Sequence, residues 1–170
     1  MLSHRERAAK GLKIGDCFTT SRTFTKDDIL RFAEVSLDYN PVHFDKRFAG
    51  VKNFHAPVCH GLLVASLVTE LGGQIGWLAS SMNFRFKGPV YAGDTVSCTL
   101  EITSIDSRGR ARASATLVNQ NGGIVVEAEI GGIVPGDKER RVLRAMLSEG
   151  DPTNGPADRV GSEPGERGAG

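Results

Sequence analysis

GLLVASLVTELGG, residues 61–73, is the longest apolar run in the chain. Leu62, Leu63, Val64, Ala65, Leu67, Val68 and Leu71 leave it almost no polar face, and a helix that is apolar all round is one buried all round. A bilayer takes roughly 20 such residues, so the run is too short to span one, and it carries Glu70. Something in the same protein must therefore wrap it.

The second half of the chain supplies the wrapper. TVSCTLEI (95–102) alternates, with Val96, Cys98, Leu100 and Ile102 on one face and Thr95, Ser97, Thr99 and Glu101 on the other. ARASATLV (111–118) and IVVEAEIGGIV (124–134) repeat the pattern, separated by SRG and NQNGG turns. With MNFRFKG (82–88) before them, these segments predict four antiparallel strands after one central helix.

Ahead of the apolar run, CFTTSRTF (17–24) reads as a first strand. Thr25 then precedes an amphipathic helix over KDDILRFAEVS (26–36), with acids in its first turn and Ile29, Phe32, Ala33 and Val35 at helical spacing. Phe44, Phe48 and Phe54 suggest a loop pinned by aromatic side chains after it. Beyond Pro135 the chain turns charged and then rich in Gly and Pro. A short helix is expected over 137–148, and disorder from Glu149 onward. The expected organisation is an extension at 1–10, one α+β domain at 11–136 and a tail at 137–170, the sheet curled around the helix.

A chain of 170 residues with 39% hydrophobic residues can bury the core of one domain. Its 21 basic and 20 acidic side chains balance to a formal charge of +1, so no nucleic acid or anionic membrane is called for as main partner. Cys17, Cys59 and Cys98 are far apart and odd in number, and read as free thiols in a reducing cytoplasm. MLSHRERAAKGLK at the start has no apolar core and does not read as a secretory signal.

One segment exceeds what a helix-to-strand connection needs. LDYNPVHFDKRFAG (37–50) puts Asp38, Asn40, Pro41 and His43 within six residues. Pro41 ends the helix and holds Asn40 extended, so the chain turns and the carboxylate and imidazole can face one side. Together they can hold a water, accept its proton and return one. Taken alone, the residues fit as well a capped Asn-Pro turn carrying a hydrogen-bonded loop histidine.

The wider pattern tips the reading. DYNPVHFDKRFA resembles the D-x-N-P-x-H motif, followed after five residues by Ala or Ser, of the MaoC-like hydratases, the (R)-specific enoyl-CoA hydratase family. PVCHGLLVASL is similar to that family's helix start, FRFKGPVYAGDTV to its strand and Gly-Asp turn, and GLKIGDCFTTSRTFTKDDILRFAEVS to its opening. The resemblance covers roughly residues 11 to 135.

It implies a hot-dog fold, normally dimeric, and syn addition of water to a trans-2-enoyl thioester, giving the (R)-3-hydroxyacyl thioester. The catalytic pair carries over to Asp38 and His43, with Asn40 in support. The negative charge that develops on the thioester oxygen needs a donor, and the amide of Gly61 at the start of the buried helix offers one. Thr69 matches a position where the family carries a small hydroxyl near the substrate; a hydroxyl bonded back to the helix is the equal alternative. His60 reads as a polar contact or a hydrogen-bonded structural histidine. Acyl-CoA is the implied partner, with an acyl-carrier protein as the other carrier and Arg47, Lys52, Arg85 and Lys87 as scattered candidates for its phosphates. No redox cofactor is implied, and no metal, because Asp38, His43, Asp45, His55 and His60 lack the spacing of a metal site.

Two departures stand out. Leu37 occupies a position where the family often has Gly, and Lys87 one where an apolar residue is common. Two other functions stay open. A hot-dog thioesterase would use a carboxylate on the central helix, here Glu70, and a non-catalytic acyl-CoA or acyl-carrier binding module would hold its ligand without turnover.

Overall fold

Alternation at period two becomes a single antiparallel sheet. The computed structural model describes residues 2–151 and 153. Helix α1 (His4–Lys10) precedes β1 (Cys17–Thr23) and α2 (Lys26–Ser36); a 3-10 turn at Pro41–His43, α3 (Lys46–Val51) and α4 (Gly61–Gln74) follow. Strands β2 (Leu78–Phe86), β3 (Thr95–Ile105), β4 (Arg110–Asn119) and β5 (Ile124–Ile133) then lead to α5 (Asp137–Ser148). The sheet order is β1-β3-β4-β5-β2, with every neighbouring pair antiparallel.

The alternating positions sort as the pleat demands. Val96, Cys98, Leu100 and Ile102 of β3 are buried, as are Ala111, Ala113, Ala115 and Leu117 of β4. They close over Leu67, Leu71 and Ile75 of the central helix segment, all fully buried. A sheet wrapped around one helix is the expected hot-dog arrangement, within an α+β architecture.

Strand β2 shifts register between Ala79 and Ser81, opposite Gly132 and Gly131 of β5. A Cβ on Gly132 would stand 2.2 Å from Nε1 of Trp77 and 2.4 Å from the carbonyl of Leu78. Only glycine leaves room there for the Trp77 indole and the backbone of β2.

The central helix departs from its expected burial on one flank. Leu62 and Thr69 are exposed, with Gly73 and the half-buried Ser66 on the same stripe, at i, i+4, i+7 and i+11. The stripe borders β2, one of the two edge strands, where Leu78, Met82 and Phe86 are also exposed. One chain thus leaves an apolar seam along a sheet edge uncovered.

The loop expected around Phe44, Phe48 and Phe54 contains a helix instead. Asp45 caps α3, its carboxylate accepting from the backbone N–H groups of Arg47 at 2.8 Å and Phe48 at 3.4 Å. Hydrogen bonds from the Arg47 side chain hold the Asp45 carboxyl well below the usual carboxylate range. Phe44 and Phe48 stay more than a third exposed, so the cap sets this segment more than aromatic burial does.

The first and last helices meet beneath α4. Helix α1 packs on α5, and Arg144 of α5 donates to the carbonyl of Ala9 at 2.7 Å. Arg5 is buried, donating to the carbonyls of Gln74 at 2.8 Å and Gly73 at 3.3 Å, and to the Asp151 carboxylate at 3.0 Å. A cation suits the carbonyl end of a helix, where the macrodipole is negative. Glu149–Asp151 are tied in this way, although the composition there points to disorder; residues 152 and 154–170 lie outside the described residues.

Arg5→Met should cost about 2 kcal/mol through the lost charged hydrogen bond to Gln74. That corresponds to a fall of about 4–8 °C in Tm for a chain of this size. An unchanged Tm would mean that helix packing alone holds the ends.

Candidate functional site

The site begins where α2 stops. Thr25 caps the helix in a reciprocal box with Asp28, and Leu37 ends it in the left-handed conformation, φ 59° and ψ 20°. A non-glycine residue there costs of order 1–2 kcal/mol, which is the physical reason the resemblance expects Gly at this position. Asp38 is the residue that follows this turn.

Each group that follows is tied at one atom and free at another. Oδ1 of Asp38 accepts from the N–H of Asn40 at 3.2 Å. Oδ1 of Asn40 in turn accepts from the N–H of Val42 at 3.2 Å, starting the 3-10 turn that carries His43. Asn40 itself is exposed, and its amide oxygen is spent on this cap. It holds the loop.

His43 is fixed from the other side. Its Nδ1 lies 2.8 Å from the carbonyl oxygen of Val58, which can only accept, so Nδ1 carries the hydrogen. Nε2 is then the lone-pair nitrogen, 3.8 Å from Oδ2 of Asp38. That separation is too long for a direct hydrogen bond and within reach of one water bonded to both. Burial lowers the His43 pKa below its ordinary 6.5, with His60 adding to the shift and the Val58 bond and the Asp38 charge opposing it. The ring is neutral at pH 7.

His60 and Gly61 close the site. His60, fully buried, puts Nε2 2.9 Å from the backbone carbonyl of Asp38 and stacks on the His43 ring at 3.8 Å between centroids. Gly61 opens α4, where an N–H has no partner within the helix and the positive end of the dipole emerges. A Cβ on Gly61 would lie 2.7 Å from the Phe86 ring, so the backbone is approached closely there. Asp38, His43, His60, Gly61 and Phe86 line one cavity of about 710 Å³.

Of the residues singled out in the sequence, Asp38, His43 and Gly61 come together in this cavity. Thr69 does not join them. It lies two turns farther along α4, exposed, with its hydroxyl donating to the carbonyl of Ser66 at 2.7 Å, and it borders a separate cavity of about 200 Å³ beside Trp77 and Met82. Of the four basic candidates only Lys87 reaches the rim of the larger cavity, with its ammonium 3.4 Å from Glu127. Glu70 turns away, accepting from the Thr20 hydroxyl at 2.8 Å.

Cys59 lines the cavity, but burial pushes its thiol up to about 12, which leaves no thiolate nucleophile at neutral pH. Asp38, His43 and His60 offer ligand atoms all within 4.8 Å of one another. The two rings are only 29° from parallel, so their lone pairs lie in separate planes. A zinc ion about 2.0–2.1 Å from both nitrogens needs those planes to converge.

The Val58 carbonyl, which orients His43, escapes sequence reasoning because any residue has one. The stack of His60 on His43 was equally hidden; its only signal was an imidazole directly before Gly61.

Comparison with known proteins identifies the family. The family model described as MaoC like domain matches residues 12–123. An (R)-specific enoyl-CoA hydratase of Aeromonas caviae is 32% identical over 127 residues, which is 72% of this chain and 95% of that protein. A mitochondrial 3-hydroxyacyl-[acyl-carrier-protein] dehydratase of Arabidopsis thaliana is 30% identical over 130 residues, 73% of this chain and 78% of that one. Among solved structures, the (R)-hydratase from A. caviae involved in PHA biosynthesis superposes with a TM-score of 0.69 at 31% identity, covering 74% of this chain and 99% of that chain.

Proposed function

The chain belongs to the MaoC-like domain family, and from that premise we propose that it is an (R)-specific enoyl-thioester hydratase, working reversibly as a 3-hydroxyacyl dehydratase. The observation that carries the reading is the pair of free acceptors, Oδ2 of Asp38 and Nε2 of His43, 3.8 Å apart in a cavity that ends at Gly61.

A water bonded to both acceptors points its oxygen lone pair into the cavity. As it attacks C3 of the enoyl thioester, the pair takes one of its protons, and a proton from the pair goes to C2 on the same face. Addition is therefore syn. The two groups share one water, so the base is the pair. Charge moving onto the thioester oxygen meets the N–H of Gly61 and the start of α4. Water adds without change of oxidation state, so the reaction needs no redox cofactor.

Relatives are named for both carriers, coenzyme A and acyl-carrier protein, and the substrate is proposed as an acyl thioester of the first kind. Val64, Val90 and Val126 among the lining residues offer the acyl chain an apolar wall. Three free cysteines support a reducing, cytoplasmic setting. No helix among the described residues is long and apolar enough to cross a membrane.

The uncovered seam of Leu62, Leu78, Met82 and Phe86 supports a homodimer joined along β2. Met82→Asp should turn a dimer into a monomer in light scattering; a wild-type chain that is already monomeric would contradict the seam's role.

The thioesterase reading loses its carboxylate, because Glu70 is bonded to Thr20 and lies outside the cavity. A binding module would have no use for two free acceptors facing one water. The test is the loss of enoyl absorbance from crotonyl-CoA with resolution of the product's chirality. (R)-3-Hydroxybutyryl-CoA supports the reading. Release of free thiol would favour the thioesterase, and binding without turnover the module.

A further inference from the structure

We infer that His60 is a positioning residue for the proposed hydration, holding Asp38 through its backbone and His43 through its ring face so that their free acceptors converge on one water. The inference rests on the functional reading above, but its geometric content is separate.

Three observations carry it. First, Nε2 of His60 sits 2.9 Å from the carbonyl of Asp38, so Nε2–H donates to the backbone of the very residue whose side chain faces the cavity. Asp38 directly follows Leu37, whose left-handed backbone persists only if its surroundings over-determine it. A buried donor on the next carbonyl is such a constraint. Second, the His60 ring lies 3.8 Å from the His43 ring and 29° from parallel, while Phe32 packs against His60 at 5.0 Å. With Nδ1 of His43 held by Val58, the stack blocks the remaining rotation of that imidazole.

Third, Nδ1 of His60 has no hydrogen-bond partner among the described residues, although it is buried. An orphaned buried acceptor is costly. A side chain chosen only to cap α4 or fill space would not leave one, and His60 makes no capping bond to the helix it precedes. An imidazole supplies here, within one small ring, a flat face and an in-plane donor together. Phenylalanine offers the face without the donor, and glutamine the donor without the face. The charged or titratable groups acting on His43 are Asp38 and His60.

The experiment compares His60→Phe and His60→Gln with the wild-type full chain in crotonyl-CoA hydration, and adds imidazole nitrogen NMR of the wild type. Misplacing a catalytic group by about 1 Å costs on the order of 100-fold, so each variant should lose about 10- to 100-fold in kcat. KM should stay within about threefold, the signature of an interaction that matters in the transition state and not in binding. Folded variants with unchanged kcat, or with the loss confined to KM, would overturn the inference.

The NMR arm needs no variant to fold. It should find the hydrogen of His43 on Nδ1 and that of His60 on Nε2; a His60 hydrogen on Nδ1 would remove the bond to Asp38 and overturn the inference. If the wild type hydrates no enoyl thioester, the reaction assignment fails, while the NMR result still decides whether His60 holds the pair.

Discussion

Asp38→Asn and His43→Gln should each lower kcat/KM for enoyl-thioester hydration by about 10²- to 10⁴-fold, the range that a positioned acid or base contributes. Each replacement keeps the approximate shape of its side chain. The new amide at position 38 would still accept from the N–H of Asn40, and the one at position 43 would still reach toward Val58, so Tm should change little. Both variants should also be similarly impaired, and a double variant little worse than either, because the two groups act on one water.

The pH dependence follows from the direction of the His43 shift. Its pKa lies below 6.5 chiefly because the ring is buried. The neutral ring is the working form, so the acid limb of kcat/KM should have its midpoint below 6.5. Asp38 opposes the lowering. Removing its charge in Asp38→Asn should therefore move the acid limb of any residual activity to still lower pH. Stability carries the same sign: the unfolded chain takes up this proton first, so the contribution of a neutral His43 is complete above 6.5 and is lost as pH falls through the folded value. An acid limb above 6.5 would show that another group controls the rate.

Gly61→Ala should cost about 10²- to 10³-fold in kcat, the effect of losing one donor to a developing oxyanion. The N–H survives the substitution, but the methyl stands between it and the thioester. It also meets the Phe86 ring at 2.7 Å, and that ring, half exposed on an edge strand, can swing aside. Gly61→Ala combined with Phe86→Ala separates the two effects. The double variant should recover Tm and remain slow. Recovery of the rate would mean that glycine is needed by the ring and not by the substrate.

Much of the fold was legible because two simple periods dominate. The apolar run at 61–73 reads as a buried helix, and the alternation in 95–102, 111–118 and 124–134 as a sheet with one face on it. The exposed flank of that helix was not legible, since apolar residues look alike whether they meet their own sheet or a second chain. Helix α3 was hidden because Asp45 reads as one acid among several until its carboxylate is seen over the N–H groups of Arg47 and Phe48.

Within the candidate site, the spacing of Asp38, Asn40, Pro41 and His43 is local and could be read from the chain. The contacts that orient them are not local. Val58 is 15 residues from His43 and acts through its backbone, and His60 is 22 residues from Asp38. Leu37 shows the reverse case. Its departure from glycine was visible in the sequence, and its φ of 59° shows what the departure costs.

The most direct test of one water shared by one pair is the stereochemistry of both new bonds. Crotonyl-CoA would be hydrated in deuterium oxide and the product's C2 and C3 configurations determined, beside Asp38→Asn. Deuterium at C2 and oxygen at C3 on the same face, with 3R configuration and loss of both in the variant, is the predicted result. Anti addition, a 3S product, or unchanged hydration by Asp38→Asn would contradict the account.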